Sequence, residues 1–147
     1  MTTFIWDGAT TEVYTFDPAT DNLAISDALL PASGATFASG TSGGTPFVTI
    51  DAGGTGTARL EGATLDSLMT SNFTFADGSS LVFADAAGGA FSGTEFGDQF
   101  VGRDGNDTFS GAEGDDQIDG GNGDDTLLGQ QGNDNINADA GNNLVYG

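Results

Sequence analysis

An aspartate recurs every nine residues near the end of the sequence. The series is Asp98, Asp107, Asp116, Asp125 and Asp134, and Asn143 closes it. Carboxylates at such regular spacing, with no histidine or cysteine anywhere in the 147 residues, present only hard oxygen donors. Five residues before each stands a residue without bulk: Gly93, Gly102, Gly111, Gly120, Gly129 and finally Ala138. Two residues before stand Gly105, Gly114, Gly123, Gly132 and Gly141, with Phe96 in the first copy. Glycine reaches positive φ and exposes its carbonyl oxygen without a side chain in the way. Carboxylate and carbonyl oxygens together are what Ca2+ uses, six to eight of them at about 2.3–2.6 Å. The expected ligands are the side chains of these aspartates and Asn143, the carbonyls of Gly93, Gly102, Gly105, Gly111, Gly114, Gly120, Gly123, Gly129 and Gly132, and the carbonyls at the third position of the four middle repeats, Asp104, Glu113, Asn122 and Gln131.

These ligands need elements to hold them. Numbered from Gly93, each nonapeptide has glycine at positions 1 and 4, Asp at 6, and an apolar residue at 8: Phe100, Phe109, Ile118, Leu127, Ile136 and Val145. Positions 1–6 read as a turn and 7–9 as a short strand with position 8 pointing inward. Residues 75–83 and 84–92 keep the frame with Val82 and Phe91 at position 8. Their position 6 is Ser80 and Gly89, so they read as lead-in turns without full metal sites.

Residues 93–146 resemble the haemolysin-type calcium-binding repeats of RTX proteins, with two departures: position 2 is glycine only at Gly121, and no recognisable long export segment follows the array. The resemblance implies a parallel β-roll in which two nonapeptides make one 18-residue coil and each ion sits between turns one coil apart. One edge would stack Asp98, Asp116 and Asp134, and the other Asp107, Asp125 and Asn143. That gives three full carboxylate sites, a weaker fourth at Asp125/Asn143, and an open upstream half-site between Asp107 and the turn before Phe91, about three to five Ca2+ ions in all. The resemblance also implies export from a Gram-negative cell by a type I channel, with folding outside where calcium is abundant. A looser similarity, to the segment that often precedes such arrays in large secreted proteins, covers Tyr14–Leu23, Leu65–Leu68 and Asn72–Ser79. The array runs to the end of the sequence, so an excised fragment and an unusually small complete protein both stay open.

Charge sets the remaining bounds. Two arginines, Arg59 and Arg103, face 22 acids, a net charge of −20. Residues 93–147 hold 12 of those acids and one arginine. Such a chain is a poor partner for nucleic acid, which needs a basic face, and for an anionic membrane. No segment approaches the ~18 apolar residues of a membrane span, and MTTFIWDG at the N-terminus is not a Sec-type signal. A disordered acidic linker has no reason to keep an apolar residue every nine. No EF-hand loop is present. The sequons at 72–74 and 106–108 read as accidental.

Residues 1–74 read as a small β-rich capping domain, distinct from the roll at 75–147. Strands are predicted at 3–6, 13–16, 47–50, 58–60 and 73–75, with turns at 17–21, 42–44 and 53–56. Leu65–Met69 has helical spacing, with Thr64 as N-cap. Trp6, Tyr14 and the phenylalanines of this half are expected in its core, and Asp7, Asp51 and Asp66 form no catalytic pair. The whole reads as an all-β, non-enzymatic, calcium-binding protein of the cell exterior with a structural or self-assembling role. Its expected partners are calcium, further copies of itself stacked head to tail, and, in an alternative reading as an adhesin or carbohydrate-binding module, polysaccharide. A further alternative is a fragment of a larger secreted enzyme or toxin.

Overall fold

The computed structural model describes residues 2–26, 31–51, 53–70 and 73–147. The protein is all-β. Its strands are β1 (Thr3–Trp6), β2 (Glu12–Thr15), β3 (Asn22–Ile25), β4 (Thr36–Ser42), β5 (Thr45–Asp51), β6 (Ala58–Glu61), β7 (Phe73–Phe75), β8 (Leu81–Phe83), β9 (Ala90–Ser92), β10 (Gln99–Val101), β11 (Thr108–Glu113), β12 (Gln117–Asp119), β13 (Thr126–Gln131), β14 (Asn135–Asn137) and β15 (Leu144–Tyr146). Asn72, which opens the first sequon and part of the looser similarity, lies outside the described residues.

From β8 onward the chain is a parallel β-roll. Successive strands alternate between two four-stranded sheets, ordered β8-β10-β12-β14 and β9-β11-β13-β15. Every pairing is parallel and offset by 18 residues, as in Phe100↔Ile118 and Phe109↔Leu127. The coil length follows from the sequence period. A three-residue strand and a six-residue turn traverse one side of the roll, and a second copy returns the chain to its start. Position 8 points inward through the body of the roll, whereas Val145 in the last strand is about half exposed. Phe100, Phe109, Ile118 and Leu127 are buried, with Phe91 and Ile136 partly so, and the Phe91, Phe109 and Phe100 rings pack at 5.6 and 5.1 Å.

The N-terminal unit also winds in parallel. Strands β1, β3 and β7 form one parallel sheet. In the other, β2 pairs parallel with β6, which continues antiparallel into the β5–β4 hairpin. The predicted strands at 3–6 and 73–75 coincide with β1 and β7, and those at 13–16, 47–50 and 58–60 overlap β2, β5 and β6. Strand β4 (TFASGTS) carries almost no apolar pattern; seven paired positions on β5 hold it extended. The one or two helical turns expected at 65–69 are a single turn of 3-10 type, Leu65–Ser67. Thr64 is its N-cap residue, and its N–H donates to Ser67 Oγ at 2.9 Å. The turn stops because Leu68 returns to extended backbone, which buries its side chain.

Trp6, Leu23, Ile25, Val48, Ile50, Leu60 and Leu68 centre the N-terminal core. Strand β8 is buried on both faces: Leu81 and Phe83 join this core while Val82 joins that of the roll. One strand is thus the shared wall between the two.

Candidate metal centre

Each turn of the roll places its position-6 side chain inside the coil. Asp98, Asp107, Asp116 and Asp125 are at most 1% exposed. A buried carboxylate needs donors, and the stacking of coils supplies one to each. Asp116 Oδ1 accepts the Asp98 N–H at 2.8 Å and Asp125 Oδ1 the Asp107 N–H at 2.8 Å. Asp134 Oδ1 accepts from Asp116 at 3.1 Å, and Asn143 Oδ1 from Asp125 at 2.9 Å. The lead-in turns lack the carboxylate, as expected, yet their Gly89 and Ser80 N–H groups are held in the same way by Asp107 and Asp98. The two predicted edges are therefore present, Asp98/Asp116/Asp134 and Asp107/Asp125/Asn143.

The second carboxylate oxygen decides the chemistry. Oδ2 of Asp107, Asp116 and Asp125 is buried and accepts no hydrogen bond. Burial pushes the Asp107 and Asp116 carboxyls up to about 6, against the N–H donors and reinforced by neighbouring carboxylates. Asp98 differs. Its Oδ2 accepts from the Thr94 N–H and hydroxyl, so its oxygens are already engaged, although burial still raises its pKa.

The glycine columns pack against these oxygens. A Cβ on Gly111 would overlap Asp116 Oδ2 and approach the Gly129 carbonyl oxygen to 2.7 Å. One on Gly120 would meet Asp125 Oδ2 at 2.7 Å and the Ala138 carbonyl oxygen at 3.1 Å. Gly93 and Gly129 stand in the same relation to Asp98 and Asp134, while Gly102 lies against the Gly120 carbonyl. At position 4, the carbonyls of Gly105, Gly114 and Gly123 abut Gly132's column and its mate on the other edge, where Gly123, Gly132 and Gly141 have φ of 146°, 143° and 137°. Position 3 ties neighbouring coils together. Asp104 bridges to Asn122, whose carbonyl accepts from Gly105 N at 2.9 Å, and Glu113 pairs with Gln131.

The structural roles of two columns were not evident in the sequence. Position 5 is Asn or Asp from Asn106 to Asn142, and its side chains form the reciprocal ladder. Asn106, Asp115 and Asp124 Oδ1 accept the N–H of Asp124, Asn133 and Asn142 at 2.8–2.9 Å. The all-Asx column was the available signal, and it includes the Asn106 of the second sequon. Position 2 is left-handed: Arg103, Ala112, Gln130 and Asp139 have φ of 65°, 81°, 75° and 46°, and Gly121 80°. The glycine preference at position 2 that this chain departs from thus has a backbone cause.

Among the described residues no three His, Cys, Asp or Glu side chains converge on one point. Position 6 supplies one side chain per coil on each edge, and with no three carboxylates converging, backbone carbonyls must complete any ion's shell. Unpaired buried carboxylate oxygens beside carbonyl oxygens, with no nitrogen or sulfur donor, fit Ca2+.

A parallel roll with this oxygen-lined edge defines a class, the calcium-binding β-rolls. Residues 92–127 and 119–147 match the RTX calcium-binding nonapeptide repeat (4 copies), and the parallel roll they form is consistent with an RTX β-roll. Repeats of this family bind calcium, typify secreted Gram-negative proteins and are typically non-catalytic. Neither curated proteins nor solved structures give a significant match to the chain. Among the described residues, no helix is long and apolar enough to cross a membrane.

Proposed function

We propose that the chain is a secreted, non-enzymatic calcium-binding protein that folds on ion binding and serves as a self-associating structural subunit of the cell exterior. The observation that carries the calcium part is the donorless, buried Oδ2 of Asp107, Asp116 and Asp125. Without a cation these oxygens are desolvated and mutually repelled, and the roll's small apolar core offers little to offset the ordering of its backbone at ~1–2 kcal/mol per residue. Asp98/Asp116, Asp116/Asp134 and Asp107/Asp125 are the proposed ion pairs of turns, with Asp125/Asn143 weaker because an amide replaces a charge. Self-association is supported by the last coil, where Leu144, Val145 and Tyr146 are about half exposed on a strand with one paired side. The alternative of a polysaccharide-binding module finds less support. Trp6 is fully buried and the Phe47 ring lies between Gly40 and the Arg59 guanidinium.

The test is a calcium titration of EGTA-treated protein with two readouts, far-UV circular dichroism and sedimentation. The expected outcome is a cooperative gain of β signal followed by larger species. An unchanged β spectrum sinks the calcium reading, and a monomer at saturating calcium sinks the assembly reading.

A further inference from the structure

We propose that Arg103 is a latch through which the ion-binding turn at Asp107/Asp125 sets the order of the N-terminal unit; this rests on the calcium reading above. Only two side chains in the protein are cationic. Arg59 is spent inside the N-terminal sheet, 2.6 Å from Glu61 and 3.6 Å over the Phe47 ring. Arg103 is the roll's one cation, and it reaches out of the roll.

Its guanidinium donates to the carbonyls of Leu65 and Leu68, the latter at 3.0 Å, and to that of Ala84 at 3.5 Å. Leu65 opens the 3-10 turn of the N-terminal unit and Leu68 is its C-cap residue, so Arg103 binds the carbonyls of that turn and its cap. The same guanidinium lies 4.8 Å from the centre of the Phe83 ring, on the strand shared by both cores. Asp66, Asp85 and Asp104 surround it without forming an ion pair, and the salt bridge among the described residues is Arg59–Glu61. In a chain with 22 acids, this arginine is directed at backbone carbonyls across a unit boundary.

The backbone beneath it belongs to the ion site. Arg103 lies within the turn 102–107 that ends at Asp107. Its carbonyl accepts the Asn122 N–H at 2.6 Å, and Asn122 returns a bond from Gly105, clamping this turn to the turn of Asp125. Arg103 sits at φ 65°, a region that disfavours any side chain and in which Gly121 occupies the same column one coil later. Holding arginine there requires an ordered turn. Two carboxylate oxygens in that stack, on Asp107 and Asp125, lack donors, so the order of the turn depends on a cation. Ion binding at this stack therefore positions Arg103, and Arg103 positions Leu65–Leu68 against the core that holds Trp6.

Trp6 is the chain's single tryptophan and is fully buried in the N-terminal core, so its emission reports that unit alone. The experiment titrates calcium into the full EGTA-treated chain and follows both circular dichroism and Trp6 emission. In the unaltered protein the two midpoints coincide. In Arg103→Gly, which suits the left-handed backbone, the dichroism transition persists while the Trp6 midpoint separates from it by about tenfold or becomes calcium-independent, the scale of losing charged hydrogen bonds. Ala112→Gly, the same column on the other edge, keeps the midpoints together. Coincident curves in Arg103→Gly overturn the latch. So does Trp6 emission that ignores calcium in the unaltered protein while the dichroism responds, and that result leaves the calcium reading intact. Loss of both responses in the unaltered protein removes the calcium reading itself.

Discussion

At the residue scale, position 6 does two things at once. Oδ1 ties adjacent coils, and in the proposed reading the donorless Oδ2 of Asp107, Asp116 and Asp125 takes a cation, so neutralising such a side chain should have opposite effects with and without calcium. Asp116 has carboxylates on both sides, Asp98 and Asp134, and its Oδ2 has no donor. Asp116→Asn keeps the Oδ1 acceptor and removes a buried charge. The expected outcome is a calcium-free chain that gains residual structure, together with a calcium midpoint raised by about tenfold, the effect of one lost charged ligand contact. The same change at Asp98 should shift the midpoint less, because Thr94 already satisfies its oxygens. Equal shifts at the two sites, read by circular dichroism, would contradict the assignment.

At the element scale, the stacked turn is the titrating unit. The Asp107 and Asp116 carboxyls sit at about 6 in the fold against 3.8 in a free chain. A raised folded pKa means that the native roll holds protons more tightly than the unfolded chain. Their contribution is therefore fully present below pH 3.8 and lost as pH rises through about 6. On the proposed reading, calcium competes for the same oxygens. The calcium-free roll should be most ordered in mild acid and melt toward neutrality. Calcium affinity should weaken as pH falls below about 6. Thermal melts in EGTA and in calcium across this range check both signs, and parallel pH trends in the two series would refute the account. The element scale also shows what periodicity missed. Position 5 forms its ladder by pairing between coils, and single-repeat chemistry does not reveal that Asx side chains 18 residues apart share hydrogen bonds.

At the scale of the whole molecule, a net charge of −20 is carried by a thin roll and a better-packed N-terminal unit joined by β8 and Arg103. On the proposed reading, folding depends on a cation whose coordination tolerates irregular carbonyl-rich turns. Ca2+ accepts flexible shells at 2.3–2.6 Å, whereas Mg2+ demands near-octahedral geometry at about 2.0–2.1 Å and keeps its water. Magnesium at the concentration of saturating calcium should leave the chain largely unfolded by circular dichroism. A full β spectrum in magnesium would reduce the ion's role to charge screening.

The sequence by itself determined the roll. Its nine-residue period places Phe100, Phe109, Ile118 and Leu127 inside and Asp107, Asp116 and Asp125 at the turns, because a three-residue strand and six-residue turn leave no other register that buries position 8. Only the tertiary structure decided the rest. Which carboxylate oxygens go unpaired depends on contacts 18 residues away, and so Asp98 differs from Asp116 although their repeats look alike. Strand β4 is extended by its partner rather than by its own pattern. The role of Arg103 was equally invisible: its reach to Leu65 and Leu68 spans 35 residues or more and arises only when two separately patterned halves pack against one shared strand.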